Sequence, residues 1–319
     1  MNRPDFVIRL IKYYNTINFN GKIYIGDSSS ETNSNIITEH LKKINFKNVK
    51  YFYLPNQNIE ICQQTLAKEV KEDFIVFSGD DDFFIPNSLQ KSIEFLKLNQ
   101  DYSVCHGNSY IFKVKNDYLY GKISYVSKYK LNQVEHKDPN DRFLSLLNNY
   151  WVSIFSVHRT SEYLLDLQLM QNISLEFFRE KVLSMSSLIR GKSKSLNINY
   201  LYRQVHNRRY ANPKIMNLVL DDNFNKDLVF CSKLIAQYIN KYGGNTEQDK
   251  VNNCFKSQIS SDIYNSSLSF SKHLLNEKKS KLELNIITNI FKYFKTSNNN
   301  MKKMKSEKIY KFINNQIDE

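Results

Sequence analysis

The run Phe74-Ile75-Val76-Phe77, followed at once by Ser78-Gly79-Asp80-Asp81-Asp82, constrains this chain more than any other feature. Four consecutive apolar residues read as a strand buried on both faces, the mark of a parallel sheet. Adjacent carboxylates repel and raise one another's pKa, so the end of a buried strand is a costly place for three of them. A divalent cation would remove the conflict, because Mg²⁺ and Mn²⁺ take one or two carboxylates together with phosphate oxygens. The alternative is a solvated turn, or the start of the helix that Pro86 opens, where Asp is favoured by the helix dipole.

The surrounding pattern alternates strand and helix. Pro4 suits the first turn of a helix, and Phe6, Ile8, Leu10, Ile11 and Tyr14 recur at helical spacing. Strands are expected over Lys22–Gly26, Val49–Leu54, Phe74–Phe77 and Tyr102–His106, with helices between them. That alternation predicts an α/β fold built on an open, mostly parallel doubly wound sheet flanked by helices. Ligands of such sheets bind outside the carboxyl ends of the strands, and two of these ends carry acid, at Asp27 and at Asp80–Asp82. Beyond His106 the spacing predicts a hairpin over Ser109–Val114 and Lys122–Val126. Helices are expected near Arg142–Tyr150 and Glu176–Ile189, strands at Trp151–His158 and Leu196–Val205, and a polar helical C-terminal extension from about residue 216, with Ser297–Asn300 as a loop.

Composition excludes several classes. With 41% hydrophobic residues and only 8 Gly and 5 Pro in 319 residues, the chain is neither disordered throughout nor collagen-like. There is no uninterrupted apolar stretch long enough for a transmembrane helix. Cys62, Cys105, Cys231 and Cys254 are widely spaced, which argues against a disulfide framework or structural zinc and for a reducing cytoplasm. The formal charge of +13 raises a nucleic-acid reading. No recognised motif supports it, and the triple Asp would repel phosphate, so nucleic acid is not an expected partner. Residues 291–311 hold 7 Lys and 1 acid among aromatics. They are expected either to touch an anionic membrane surface, placing the chain peripherally at its inner face, or to form a solvated helix.

Asn2-Arg3-Pro4, Ile23-Tyr24-Ile25-Gly26-Asp27-Ser28-Ser29 and Phe77-Ser78-Gly79-Asp80-Asp81-Asp82 with Pro86 and Leu89 resemble, in order and spacing, family 2 glycosyltransferases of the GT-A fold. The resemblance covers roughly residues 1–210. It implies a nucleotide-sugar-binding half over 1–125, an acceptor-binding half over 126–215 and the helical extension over 216–319. It also implies metal-dependent, inverting transfer of a sugar from a UDP-, GDP- or dTDP-sugar to a glycan or lipid-linked acceptor, with Mn²⁺ or Mg²⁺ as cofactor. Asp27 would accept from the nucleotide base. Asp80 and Asp81 would serve ribose, phosphate or sugar. Asp82 matches the metal ligand, with Asp80 and His206 as further ligands. Gly79 stands where many members have another Asp. Glu180, with Glu176 second, is the candidate base for the acceptor hydroxyl. Arg203 in Leu201-Tyr202-Arg203-Gln204-Val205-His206 would offset phosphate charge, and Arg208 and Arg209 would add to it. His106 would lie near the donor sugar, and Tyr150 and Trp151 would stack on an acceptor. The family usually begins with a buried strand ending in the Asn-Arg-Pro turn, whereas here the sequence starts within that turn. The expectation is an upstream start, with Met1 an internal codon. The alternative is a truncated remnant that binds nucleotide or glycan without turnover.

Overall fold

The computed structural model describes residues 2–44, 46–208, 215–275 and 296–315. Helix α1 (Pro4–Thr16) starts on its proline and buries Phe6, Leu10, Ile11, Tyr13 and Tyr14. It ends before Asn18, whose φ of 53° is left-handed, a conformation Asn tolerates. Strand β1 (Ile23–Asp27), α2 (Glu31–Lys43), β2 (Val49–Tyr53) and α3 (Ile59–Glu69) follow, with the Asn58 side chain capping α3 at Ile61 N, 2.9 Å away. Next come β3 (Phe74–Ile75), β4 (Asp82–Phe84), α4 (Pro86–Leu98), β5 (Tyr102–Val114) and β6 (Ile123–Tyr129). The second half holds α5 (Pro139–Asn148), β7 (Val157–Arg159), α6 (Thr160–Leu169), α7 (Glu176–Arg190) and β8 (Lys192–Gln204). Helices α8 (Ile215–Val219), α9 (Phe224–Lys241) and α10 (Gln248–Leu275) extend it, and a last helix covers Lys308–Asn315.

The expected α/β layering with a helical C-terminal part is present, but the sheet is mixed. Only β1–β2 and β5–β8 pair in parallel among the described strands. β3–β7, β7–β5, β5–β6 and β8–β4 are antiparallel. The strand–helix alternation stops at β5, which runs on to Val114 and turns back through left-handed Asn116 and Asp117 into β6. A hairpin connection of this kind can only be antiparallel. Across β4, β8, β5 and β6, the register aligns Asp82 with Arg203, then Phe83 with Tyr202, Tyr110 and Lys128. Side chains alternate between faces, so the acid–arginine row rises on one face and the aromatic row on the other.

The aromatic row is covered by the C-terminal tail. Met304, Ile309, Phe312 and Ile313 are buried with Tyr13, Phe83, Tyr110 and Tyr202 in one cluster. Residues 296–305, which include the expected loop at Ser297–Asn300, are helical. Of the lysine-rich segment 291–311, the first five residues lie outside the described residues. In the rest, Met304 and Ile309 face the protein's own core, and Lys302, Lys303, Lys305 and Lys311 are exposed. No helix among the described residues is long and apolar enough to cross a membrane. On the other face, α5, α7, α9 and α10 bury Phe143, Phe178, Leu228, Ile235 and Phe255 in the largest cluster.

Strands β1 and β2 form a sheet of their own, separate from the six-stranded one. Among the described residues, no strand pairs with the second edge of β1 or of β3. Tyr24 on β1 donates to Glu72 just before β3 (3.0 Å), and α3 packs on both β1 and α6. Phe74, Ile75, Val76 and Phe77 are therefore only half-buried, where the sequence predicts burial on both faces. Asn2 stands at the carboxyl end of β1, donating to Ser29 Oγ (2.6 Å) and accepting from Ser30 N (2.9 Å). An extended pentapeptide of β-branched residues fused ahead of the chain would lie between β1 and β3. Burying ~100 Å² of apolar surface there contributes about 2–3 kcal/mol. The expected rise in thermal midpoint is ~5–10 °C relative to a Gly/Ser pentapeptide; equal midpoints by calorimetry would show that the two edges do not take a strand.

Candidate functional site

The carboxyl end of β1, the turn before β4, the end of β8 and the Arg3 turn converge on one cluster. Asp27 is buried at the end of β1, where its carboxylate accepts from Ser29 N (2.9 Å) and from Tyr51 Oη of β2 (2.7 Å). Burial, then the Asp27 carboxylate as a hydrogen-bond partner, push the Tyr51 phenol up to about 12, so it stays a donor. At the turn, Gly79 N donates to Asp82 Oδ2 (3.0 Å). A Cβ on Gly79 would stand 2.8 Å from Asp81 Oδ1 and 3.0 Å from Asp82 Oδ2, so the carboxylates fill the space a further side chain would need.

Each acid meets a base. Asp82 is fully buried and takes Arg203 Nε at 2.7 Å. Asp80 pairs with Arg3, and Arg3 Nη1 lies 3.6 Å from Asp81 Oδ2. His206 Nδ1 accepts from Arg208 N (3.1 Å), which leaves the Nε2 proton to face Asp81 Oδ2 at 3.1 Å. Arg208 in turn pairs with Asp5 at 2.6 Å. Burial pushes the Asp80 carboxyl up to about 6, with Arg3 opposing and Asp81 adding to the rise. Asp82 is raised for the same first reason, against the pull of Arg203. Buried like charges behave this way when their partners only partly offset desolvation.

Arg203 joins this cluster to the second half of the chain. Its guanidinium carbon sits 3.9 Å from the Phe155 ring centroid and 4.8 Å from that of Tyr129. The Tyr129 phenol feels Arg203, Asp82 and Glu180 together. Glu180, near the start of α7, accepts from Tyr150 Oη at 3.0 Å. Burial raises its pKa, while Tyr150 and the neighbouring Lys181 pull it down and Glu176 pushes it up. Lys181 Nζ is held 3.8 Å from the Tyr150 ring centroid. Arg203 adds a weaker downward pull on Glu180; a buried carboxyl with a raised pKa is a candidate for proton transfer.

The structure thus brings together Asp27, Asp80, Asp81, Asp82, Arg203, His206 and Glu180, with Glu176 one turn from Glu180. His106 is not among them. It is fully buried, with Nδ1 3.2 Å from Gly107 O, Nε2 3.1 Å from Asn132 O, and its ring edge-on to Trp151. Trp151 is likewise buried core and presents no stacking face, while Tyr150 positions Glu180. Arg209 lies outside the described residues. The expected cation ligands Asp82, Asp80 and His206 do not converge: Asp82 faces Arg203, Asp80 faces Arg3, and His206 faces Asp81. Among the described residues no group of three His, Cys, Asp or Glu is placed to hold a metal ion. Asp81 and His206 do meet, through the hydrogen bond between them. No local sequence pattern marks Tyr51, Tyr129 or Phe155 as site residues, and of the four only Arg3 carries such a signal, in the Asn-Arg-Pro turn.

Residues 2–155 match the family described as Glycosyl transferase family 2. Among solved structures, S. aureus TarS 1-349 is similar at 16% identity over 89% of this chain and 74% of that one, with a TM-score of 0.45. The same protein in complex with UDP gives 17%, 89%, 74% and 0.44. In complex with UDP-GlcNAc it gives 13%, 75%, 70% and 0.42. No curated protein matches the chain.

The buried imidazole of His106 has its pKa pushed down to about 4, burial outweighing the two carbonyl contacts. It is neutral in the fold and protonated in the unfolded chain below its ordinary value of 6.5. Its contribution is therefore complete above pH 6.5 and is lost as pH falls towards 4, by about 3 kcal/mol. Urea titrations at pH 7 and 4.5 should show a smaller acid loss in His106→Gln than in the parent. An unchanged loss would mean that the imidazole is accessible and ligand-facing.

Proposed function

We propose that this chain, whose residues 2–155 match glycosyl transferase family 2, is a glycosyltransferase that moves a sugar from a nucleoside-diphosphate donor to a hydroxyl of a glycan or lipid-linked acceptor, with inversion. The observation that carries the reading is Arg203. Its Nε is anchored on buried Asp82 and its plane is held by Phe155 and Tyr129, between the matched segment and Glu180.

In this reading Asp27 accepts from the nucleotide base, and Tyr51 and Ser29 hold its carboxylate in place. Arg203 and Arg3 offset the diphosphate, each kept in position by an aspartate. Glu180 takes the proton of the acceptor hydroxyl, whose oxygen attacks the anomeric carbon as the bond to the diphosphate breaks. The electron pair leaves with the diphosphate. Asp81 and His206 are the residues that would hold a Mn²⁺ or Mg²⁺, with the ion taking the place of the proton between them, and it would supply Lewis-acid stabilisation of the departing diphosphate. Asp82 has its oxygens committed to Arg203 and Gly79 N, so it serves as the anchor of the arginine.

Nucleotide release from UDP-, GDP- and dTDP-sugars, with and without Mn²⁺, tests this reading. One nucleotide class is expected to turn over. Glu180→Gln should lower kcat about 10²–10⁴-fold with little change in KM. Because a base must be ionised, the rate should fall on acidification through a pKa above the ordinary Glu value of 4.5, and that limb should vanish in Glu180→Gln. Nucleotide binding by calorimetry without release from any donor would favour the remnant that binds without turnover.

A further inference from the structure

Lys181 follows Glu180 on α7 and is only 4% exposed, a rare place for a lysine. Its Nζ lies 3.8 Å from the Tyr150 ring centroid and 4.6 Å from that of Phe177, so two aromatic rings hold the ammonium. Tyr150 is also the phenol whose Oη donates to Glu180 at 3.0 Å. One ring therefore carries the ammonium over its face and the carboxylate at its hydroxyl. Burial disfavours the charged ammonium, and Asp262 of α10 and Glu180 oppose that push. Asp262 also accepts from Gln258 Nε2 at 2.9 Å. The other charges around α7 are engaged elsewhere. Arg179 pairs with Glu60 of α3 at 3.1 Å, and Asp227 of α9 accepts from Ser174 N and Leu175 N. Arg190 pairs with Asp166 of α6, and Arg142 of α5 donates to Leu188 O and Ile189 O.

Glu180 is faced by Tyr150, Lys181 and Glu176, by Arg203 of β8 and by Tyr129 of β6. Burial and Glu176 favour its neutral form. Of the two cations, Arg203 has Asp82 on its Nε at 2.7 Å, which offsets much of its charge. Lys181 is held by rings, which leave its charge whole. A base must be ionised to accept a proton, and a nearby opposite charge favours that form. We propose that Lys181 is a positioning residue that keeps Glu180 a carboxylate, ready for the acceptor hydroxyl. Its part in turnover rests on reading Glu180 as the base; its hold on the carboxyl does not.

Two measurements on the full chain test it. Carboxyl-labelled glutamate followed by NMR reports the titration of Glu180 directly, its signal identified as the one that Glu180→Gln removes. Nucleotide release from the donor that turns over gives the pH profile of kcat. Lys181→Met keeps the length and removes the charge. It should raise the Glu180 midpoint by about one pH unit, a roughly tenfold loss of carboxylate below it. The acid limb of kcat should move up by the same amount with KM little changed. Lys181→Arg keeps the charge and should return both to the parent values. Lys181→Gln carries the same expectation as Lys181→Met and replaces it where that variant does not fold. An unmoved Glu180 midpoint in the uncharged variant would overturn the proposal. So would a kcat lowered equally at every pH with the limb in place, the mark of a lysine that only packs. A raised midpoint in a chain that releases nucleotide from no donor would support the hold of Lys181 on Glu180 and count against the base reading instead.

Discussion

The pairing of Asp82 with Arg203 is the contact on which the rest of the site depends. It joins the first residue of β4 to the end of β8 across 121 positions of sequence, and both groups are largely or fully removed from water. A buried pair of this kind adds little net stability, because desolvation offsets most of the attraction, whereas removing one partner leaves an uncompensated charge. Its value lies in registration. With Asp82 opposite Arg203, Phe83 must face Tyr202 and Phe84 must face Leu201, and a slip of one residue would turn every side chain to the wrong face. The same registration sets Arg203 between Phe155 and Tyr129 and sends Tyr110 and Lys128 to the far side.

Much of this was legible in local sequence. The α1 start at Pro4, the acid at the end of β1, the acidic turn before β4 and the α7 helix carrying Glu180 follow from apolar spacing, proline placement and the position of carboxylates. These signals span only a few residues, and local physics decides them. The family resemblance added the roles and linked Arg203 and His206 to the acids, which spacing alone does not do.

The rest was set by pairing across long sequence separations. Tyr129 and Phe155 read as ordinary strand or core aromatics, and only the β5–β6 hairpin and the packing against β8 bring them to Arg203. Tyr51 gives no local sign that its hydroxyl serves Asp27 on the neighbouring strand. His106 misled for the converse reason. A histidine before Gly-Asn at a strand end suggests a site, but β5 continues eight residues further and carries the imidazole into the core. The expectation of a mostly parallel sheet failed at the same place, where continuation of β5 into a hairpin replaced a crossover.

The division of the strands into a pair and a set of six has a mechanical consequence. Asp27 and Tyr51 ride on the smaller ribbon, whereas Asp82 and Arg203 belong to the larger one, and among the described residues no ladder of main-chain bonds couples the two. The two ribbons are thus tied at the site by helix packing and side chains, with the Asn2–Arg3 turn reaching Ser29 on one side and Asp80 on the other, contacts that yield more readily than a continuous sheet.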